Sequence, residues 1–225
     1  MDYYIPERLV EGYGISEEAI DKIAQRGTKL IISVDCGITS VKEVEKAQFL
    51  GIDVIITDHH SIPKEIPQAD VVINPHLPDI EYPFCDLAGV GVAFKLSQAL
   101  IGEEAYELLD IVSIGTIADI VPLLGENRII VKEGLKRLNE TRNIGLKALI
   151  KASGLQNIEI DEYHVGFILA PRLNAAGRLR SAEAAVRLLI SQDEKEVKEI
   201  AEYLNQENLN RQQIENQILQ EAIKK

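Results

Sequence analysis

The sequence predicts an α/β protein: a parallel sheet flanked by helices, then a helical region and a long C-terminal connecting helix. Three observations predict this architecture. Three short apolar runs lie within residues 28–76, and an amphipathic helical pattern separates the first two. From residue 87 onward the apolar spacing is helical, and residues 193–225 keep that spacing to the end. Apolar runs without alternation are typical of parallel strands that are covered on both faces.

The predicted strands are the runs "KLIISVDCG", "DVIITDHH" and "ADVVINPH". The segment "ITSVKEVEKAQFLG", between the first two, is predicted to be a helix with Ser40 and Glu43 as a capping box. Val41, Val44 and Ala47 form its apolar stripe, and Gly51 ends it. A helix between two strands fits a parallel crossover.

The remainder is predicted to be helical. "LAGVGVAFKLSQALIG" indicates a buried helix, and "EEAYELLDIVSIGTIADIVPL" a helix that ends before Pro122, followed by shorter helices in "NRIIVKEGLKRLNE" and "GLKALIKASG". "DEYHVGFILAPRLNAAGRLR" is predicted to break at Pro171 and turn, with Ser181 capping the next helix. The polar middle of the last helix, "NQENLNRQQ", is expected of a helix that bridges two bodies through solvent. We therefore predict one domain at residues 1–190 and a long linker helix at residues 191–225.

Composition limits the function classes. The 225 residues carry a net charge of −12, which argues against nucleic-acid binding without excluding it. No apolar run is long enough to cross a membrane, and the N-terminus does not resemble a signal peptide. Two cysteines, Cys36 and Cys85, give no disulfide framework, so a cytoplasmic location is expected. Cys36 is either a reactive thiol or, as we favour, a small buried neighbour of other groups.

Polar residues follow all three predicted strands. They are Asp35, the triplet Asp58-His59-His60, and Asn74 with His76. A single aspartate there is usually a turn former or cap. Because ligands of parallel α/β sheets bind beyond the carboxyl ends of the strands, three such ends together favour a site. Because side chains alternate along a strand, His59 would point away from Asp58 and His60 unless the strand has already ended. All three are therefore not expected to bind one ion, and a single ligand from the triplet is favoured.

Asp119 lies in the apolar stretch "SIGTIADIVPL". A buried carboxylate needs a partner, which is either a metal ion or an arginine such as Arg128 or Arg172. Asp110, nine residues earlier, falls on the opposite helix face and is interpreted as structural. Carboxylates with imidazole, and no thiolate cluster, suit Mn²⁺ or Mg²⁺.

Five blocks, "VDCGITS", "TDHH", "LAGVGVAFKL", "GTIADIVPL" and "LAPRLNAAGRL", occur in this order after "IPERLVEGYGIS". In this pattern the chain resembles the DHH phosphoesterase superfamily along its whole length, and within it the bacterial single-strand-DNA exonucleases. The resemblance implies 5′-to-3′ hydrolysis of single-stranded DNA in repair and recombination, with two Mn²⁺ or Mg²⁺ ions. It also implies single-stranded DNA as partner, with a single-strand-binding protein or helicase alongside.

The resemblance implies roles for particular residues. Asp35, His59 and Asp119 would be metal ligands, His60 would contact the substrate phosphate, and Asp58 would support the site from behind. The residues implied to hold DNA are Arg8, Arg172, Asn174, Gly177 and Arg178. The residues themselves agree, because "RLNAAGRLR" concentrates arginines in an acidic chain and its small residues allow a phosphate to approach the backbone closely. Solvated surface arginines are the alternative.

In one respect the sequence departs from the family pattern. The family begins with a strand that ends in Asp-x-Asp-x-Asp-Gly, and this sequence contains no such block. We expect a fragment truncated at both ends, with little activity alone. Two other functions stay open: a phosphoesterase for oligonucleotides, cyclic dinucleotides or pyrophosphate, and a non-catalytic replication scaffold. Comparing the hydrolysis of a dinucleotide with that of a long strand distinguishes the first of these from an exonuclease. Measuring metal binding distinguishes the second, because a scaffold should bind no Mn²⁺ at this site.

Overall fold

The structure is a computed structural model that describes residues 2–6, 11–179 and 182–224, without the side chains of residues 176–179. The chain divides into two compact units, residues 1–137 and residues 138–225. The predicted domain boundary at residue 190 differs from this division and stays a prediction. No helix among the described residues is long and apolar enough to cross a membrane.

The first unit contains a three-stranded parallel sheet. Its strands are β1 (Leu30–Val34), β2 (Asp53–Thr57) and β3 (Val71–Ile73), in the order β1-β2-β3. The register pairs Val34 with Thr57 and Thr57 with Ile73, so all three strands end level with one another. The predicted parallel sheet is confirmed, and the carboxyl ends of its strands form one edge.

The helices of the first unit pack on the sheet as two apolar clusters. They are α1 (Glu17–Gln25), α2 (Val41–Phe49), α3 (Gly89–Ile101), a 3₁₀ helix (Gly102–Leu108), α4 (Leu109–Ala118) and α5 (Gly125–Asn139). One cluster joins α1 and α2 to Val54 and Ile56 of β2. The other joins α3, the 3₁₀ helix, α4 and α5, with Ile73 of β3 packed against it. Burial of these side chains holds the strand ends in place.

Two local predictions in this unit differ from the structure. Ser40 is the N-cap of α2, but its side chain makes no capping hydrogen bond, so the predicted capping box is wrong. The loop that enters α2 is held instead by a bond from the Ile38 N–H to Asp58. The sequence reading also missed α1, whose N-cap Ser16 accepts a hydrogen bond from the Ala19 N–H at 3.1 Å.

The second unit is helical. It consists of α6 (Ile144–Ala152), the single turn α7 (Glu162–His164), a π-helical segment (Val165–Leu169), α8 (Ala170–Leu179), α9 (Glu183–Ile190) and α10 (Glu194–Ile223). α10 packs on α6, α8 and α9 through Val197, Ala201 and Leu204, and from residue 212 onward its described residues are exposed. The predicted long C-terminal helix is confirmed.

The predicted break at Pro171 is wrong, because helical structure runs without interruption from Glu162 to Leu179. Pro171 follows directly on the π-helical turn, in which the Ala170 N–H donates to the Val165 carbonyl five residues back. This shift in hydrogen-bond register accommodates a residue without an N–H inside the helix. The turn predicted after Pro171 is helix as far as Leu179, and Ser181 lies outside the described residues.

Candidate metal centre

The strand ends continue their hydrogen-bond ladder one residue into the loops. The Asp35 N–H donates to the Thr57 carbonyl at 3.0 Å, and the Asp58 N–H donates to the Ile73 carbonyl at 3.0 Å. Asp35 then turns out of the strand with φ of 63°, a left-handed conformation in which aspartate is one of the better tolerated residues. The first residue after β1 and the first after β2 therefore lie side by side.

His59 lies between two carboxylates from different parts of the chain. Its Nε2 is 3.1 Å from Asp35 Oδ1 and 3.6 Å from Asp119 Oδ2. Asp35 Oδ1 and His59 Nε2 are both buried, yet neither has a well-formed hydrogen bond despite their short separation. Polar atoms that converge in this way without satisfying one another fit a cation placed among them, and their oxygen and imidazole donors are of the kind that Mn²⁺ takes.

Asp119 is the C-cap residue of α4, so the end of this apolar helix determines its position. The ion-pair partner found for it among the described residues is His59, and not Arg128. Asp110, at the other end of α4, is buried and accepts a hydrogen bond from the Ile111 N–H at 2.7 Å. Its position agrees with a structural role.

Asp58 is 1 % exposed and faces inward. Its Oδ2 accepts from the Ile38 N–H at 3.0 Å, and its Oδ1 accepts from the N–H groups of His59 and His60. Burial raises the pKa of Asp58, but these bonds and the contact with the His60 ring outweigh burial and hold it below its ordinary value. Asp58 therefore stays ionised and joins the loop after β1 to the loop after β2.

His60 is closer to the cluster than strand alternation predicts, because β2 ends at Thr57. One ligand atom each from Asp35, His59 and His60 lies within 4.8 Å of the others, whereas Asp119 is outside this group and, among the described residues, has its ion-pair contact with His59, at 3.6 Å. The His60 Nδ1 lies 2.6 Å from Asp58 Oδ1, which favours a proton on that nitrogen and leaves Nε2 for another contact. Asn74, buried after β3, donates to the His60 carbonyl at 3.0 Å and so fixes the backbone beneath it.

Gly89 is a site residue that the sequence reading did not single out. A Cβ atom at this first position of α3 would lie 2.2 Å from Asp35 Oδ1 and 2.5 Å from Asp35 Cγ. The absence of a side chain therefore lets the start of α3 touch the Asp35 carboxylate. Its signal in the sequence was the glycine itself, within "LAGVG".

The residues implied to hold DNA are only partly described. Arg172 and Asn174 lie on α8 in the second unit, where Asn174 is exposed and Arg172 is partly buried. Arg8 lies outside the described residues, as do the surroundings of Gly177 and the side chain of Arg178. His76 and His164, to which no role was assigned from sequence, are bonded locally: the His76 N–H to Asn74 and the His164 ring to Asp161.

Comparison with known proteins identifies the family. Residues 1–116 match the model described as "DHH family, N-terminal domain". The chain belongs to the DHH family. The matched residues include β1, β2, β3 and the Asp-His-His triplet, so the family match covers the sheet edge at which Asp35 and His59 meet.

Relatives within the DHH family include exonucleases. The chain is 52% identical over 223 residues to the single-stranded-DNA-specific exonuclease RecJ of Bacillus subtilis, and it spans 28% of the length of that protein. Its structure is similar to an exonuclease RecJ bound to manganese, with a TM-score of 0.85 and 38% identity over 97% of this chain and 56% of the other. A RecJ from Thermus thermophilus in complex with Mg²⁺ gives a TM-score of 0.64 at 30% identity, covering 93% of this chain and 36% of the other.

We predict that Gly89→Ala lowers the pKa of His59 in the metal-free protein. Contact with Asp35 raises this pKa most, with Asp119 adding to it and burial opposing it. Displacing the Asp35 carboxylate removes stabilisation of the imidazolium, so the His59 pKa falls toward its ordinary value. Proton NMR titration of the histidine rings in chelator measures it. Gly91→Ala is the control, since the nearest atom to its Cβ would be Leu87 Cδ2, at 3.2 Å, and not Asp35. An unchanged His59 pKa in Gly89→Ala contradicts the prediction.

We predict that Cys36 reacts far more slowly than Cys85 with iodoacetamide. Burial, followed by the charges of Asp58 and Asp35, raises the pKa of Cys36 to about 11, whereas Cys85 is exposed. At pH 8 the thiolate fraction of Cys36 is then on the order of 0.1%. Mass spectrometry of the alkylated peptides without metal measures both rates. Equal rates would instead support the alternative of a reactive Cys36.

Proposed function

We propose that this chain is the DHH part of a metal-dependent exonuclease that hydrolyses single-stranded DNA from its 5′ end. The observation that carries the proposal is the convergence of Asp35 Oδ1 and Asp119 Oδ2 on His59 Nε2, at 3.1 and 3.6 Å. The likeness to RecJ exonucleases, one solved with manganese and one with Mg²⁺, supports it. Because the chain spans 28% of the Bacillus subtilis relative, activity, substrate and partners are proposed together.

Asp35, His59 and Asp119 would hold Mn²⁺ or Mg²⁺. When bound, such an ion lowers the pKa of a coordinated water and neutralises charge on the reacting phosphate, and two ions would divide these tasks. The chain contributes the geometry: paired strands bring Asp35 beside His59, and the end of α4 brings Asp119. His59 reaches both carboxylates from the loop after β2.

His60 would contact the substrate, and the buried Asp58 would support His60. His60 is 47% exposed at its side chain, and Asp58 holds its Nδ1, so the imidazole presents Nε2 to a phosphate oxygen. With both ring nitrogens carrying a proton, His60 would donate a hydrogen bond to that oxygen. Asp58 is buried and cannot reach substrate, so its role is to orient His60 and the backbone of His59.

DNA binding is assigned to Arg8, in the first unit, and to the segment "RLNAAGRLR" of the second unit. Arg172 and Asn174 would contact the sugar–phosphate backbone, together with Arg8, Gly177 and Arg178. Arginine is suited to this task because its planar donors match phosphate oxygens. We further propose a single-strand-binding protein or helicase as partner. The proposed location is the cytoplasm, with both cysteines reduced.

The test combines metal binding with a nuclease assay. We expect the chain to bind Mn²⁺ in isothermal titration calorimetry, and His59→Asn to weaken binding by more than about a hundredfold, because even supporting residues of metal sites contribute roughly 10- to 100-fold. The control is His76→Asn, an exposed histidine of the same unit that bonds through its backbone. Equal Mn²⁺ affinity in His59→Asn and the unsubstituted chain would contradict the metal assignment.

The nuclease assay uses 3′-labelled single strands with Mn²⁺. It is run on the 225-residue chain and on a version extended by a strand that ends in Asp-x-Asp-x-Asp-Gly. We expect shortening from the 5′ end that His59→Asn abolishes and His76→Asn leaves unchanged. Hydrolysis of dinucleotides alone would favour the small-substrate phosphoesterase, and metal binding without cleavage of any substrate in either version would contradict exonuclease function.

A further inference from the structure

Among the described residues, Arg172 differs from the other bonded arginines in its partners. Its Nε donates to Asn205 Oδ1 at 2.9 Å, and its Nη1 donates to the Ile168 carbonyl at 2.7 Å. Both acceptors are neutral. By contrast, each of four other arginines pairs with a carboxylate: Arg26 with Asp2, Arg137 with Glu107, Arg187 with Glu196 and Arg211 with Glu215. Within the described part of the chain, no carboxylate is found within ion-pair distance of Arg172.

A partly buried guanidinium without a counterion is unusual in a chain with 36 acidic and 24 basic residues. Burial lowers the pKa of Arg172, which records the cost of removing its charge from water, yet an arginine stays protonated. The two neutral acceptors fix the orientation of the guanidinium plane without cancelling its charge. This leaves both N–H groups of Nη2 and the second N–H of Nη1 to meet an anion, and two parallel donors of this kind match the oxygens of a phosphate.

The buried face of α10 changes from apolar to polar side chains at Asn205. Val197, Ala201 and Leu204 are buried and apolar, and they are followed by two amides, Asn205, which is partly buried, and Asn208, which is buried. The polar middle of this helix was expected to be solvated, but Asn208 is 0% exposed and accepts from Arg211. Asn205 and Asn208 therefore each accept from an arginine, Arg172 and Arg211 respectively. Of these two arginines, Arg211 also pairs with a carboxylate, that of Glu215.

From this arrangement we propose that Asn205 is a positioning residue, which holds Arg172 by a neutral hydrogen bond so that its charge is kept for a backbone phosphate of single-stranded DNA. Aspartate at position 205 would offer the same geometry but would neutralise the guanidinium. The inference rests on the proposed function only for the identity of the anion. It concerns α8 and α10 within the second unit.

The test measures binding without turnover. A 3′-fluorescein-labelled oligodeoxythymidine is titrated with the 225-residue chain in EDTA, and fluorescence anisotropy gives the affinity at several salt concentrations. Asn205→Asp is expected to weaken binding about tenfold, as for the loss of one charge-assisted contact. It is also expected to reduce the slope of log affinity against log salt by about 0.7, the value for one phosphate contact on a single strand.

Two further variants separate positioning from general charge and from folding. Gln206→Glu adds the same charge at the neighbouring, exposed position of α10 and is expected to have a much smaller effect. Arg172→Gln removes the guanidinium while keeping hydrogen-bond donors. If Asn205 acts through Arg172, adding Asn205→Asp to Arg172→Gln weakens binding no further. Circular dichroism melting of each variant shows whether it folds.

The outcomes distinguish this inference from the proposed function. If the unsubstituted chain binds no single strand, both fall. If it binds, and Asn205→Asp only matches Gln206→Glu or still weakens the Arg172→Gln variant, the positioning role of Asn205 is overturned while DNA binding stands. If Asn205→Asp does not fold, Asn205→Ser, which keeps a neutral acceptor on a shorter side chain, must weaken binding without lowering the melting temperature; unchanged binding in that variant overturns the role.

Discussion

The contact between the Asp35 carboxylate and the His59 imidazole is the interaction on which the site depends. It exists because β1 and β2 are parallel and in register, so that their following loops start at the same edge. Asp58 secures it from below, since one buried carboxylate accepts hydrogen bonds from both loops. Burying that charge costs several kcal/mol unless the carboxylate is fully hydrogen-bonded. The N–H groups of the two loops therefore stabilise the ionised Asp58, and Asp58 in turn fixes the position of both loops.

Much of this edge could be predicted from the sequence because it follows from chain periodicity. Continuous apolar runs indicated strands covered on both faces, and the polar residues after them had to meet at one edge. Asp119 was recognisable as a carboxylate in an apolar segment, but the burial expected of it is wrong: it is exposed at the end of α4, with His59 3.6 Å away. Even where alternation misled, as for His60, the stated condition that the strand had ended by then was met at Thr57.

What could not be predicted depends on contacts between distant segments. Ser40 and Glu43 fit the capping-box pattern, but the loop before α2 is held instead by a hydrogen bond from the Ile38 N–H to Asp58, which is distant in the sequence. Pro171 is a helix breaker by itself, and only the π-helical turn before it makes it harmless. Gly89 and Asn205 carry no pattern of their own: one matters because Asp35 lies against it, and the other because Arg172 reaches it from another helix.

The most direct measurement is anomalous diffraction at the manganese absorption edge from crystals of the chain soaked in Mn²⁺. We predict a peak among the carboxylates of Asp35 and Asp119 and the Nε2 of His59, within coordination distance of all three. We further predict that a peak there is lost in His59→Asn crystals of the same form. A manganese peak elsewhere, or density at this position that keeps its full height without His59, would contradict the proposed metal centre.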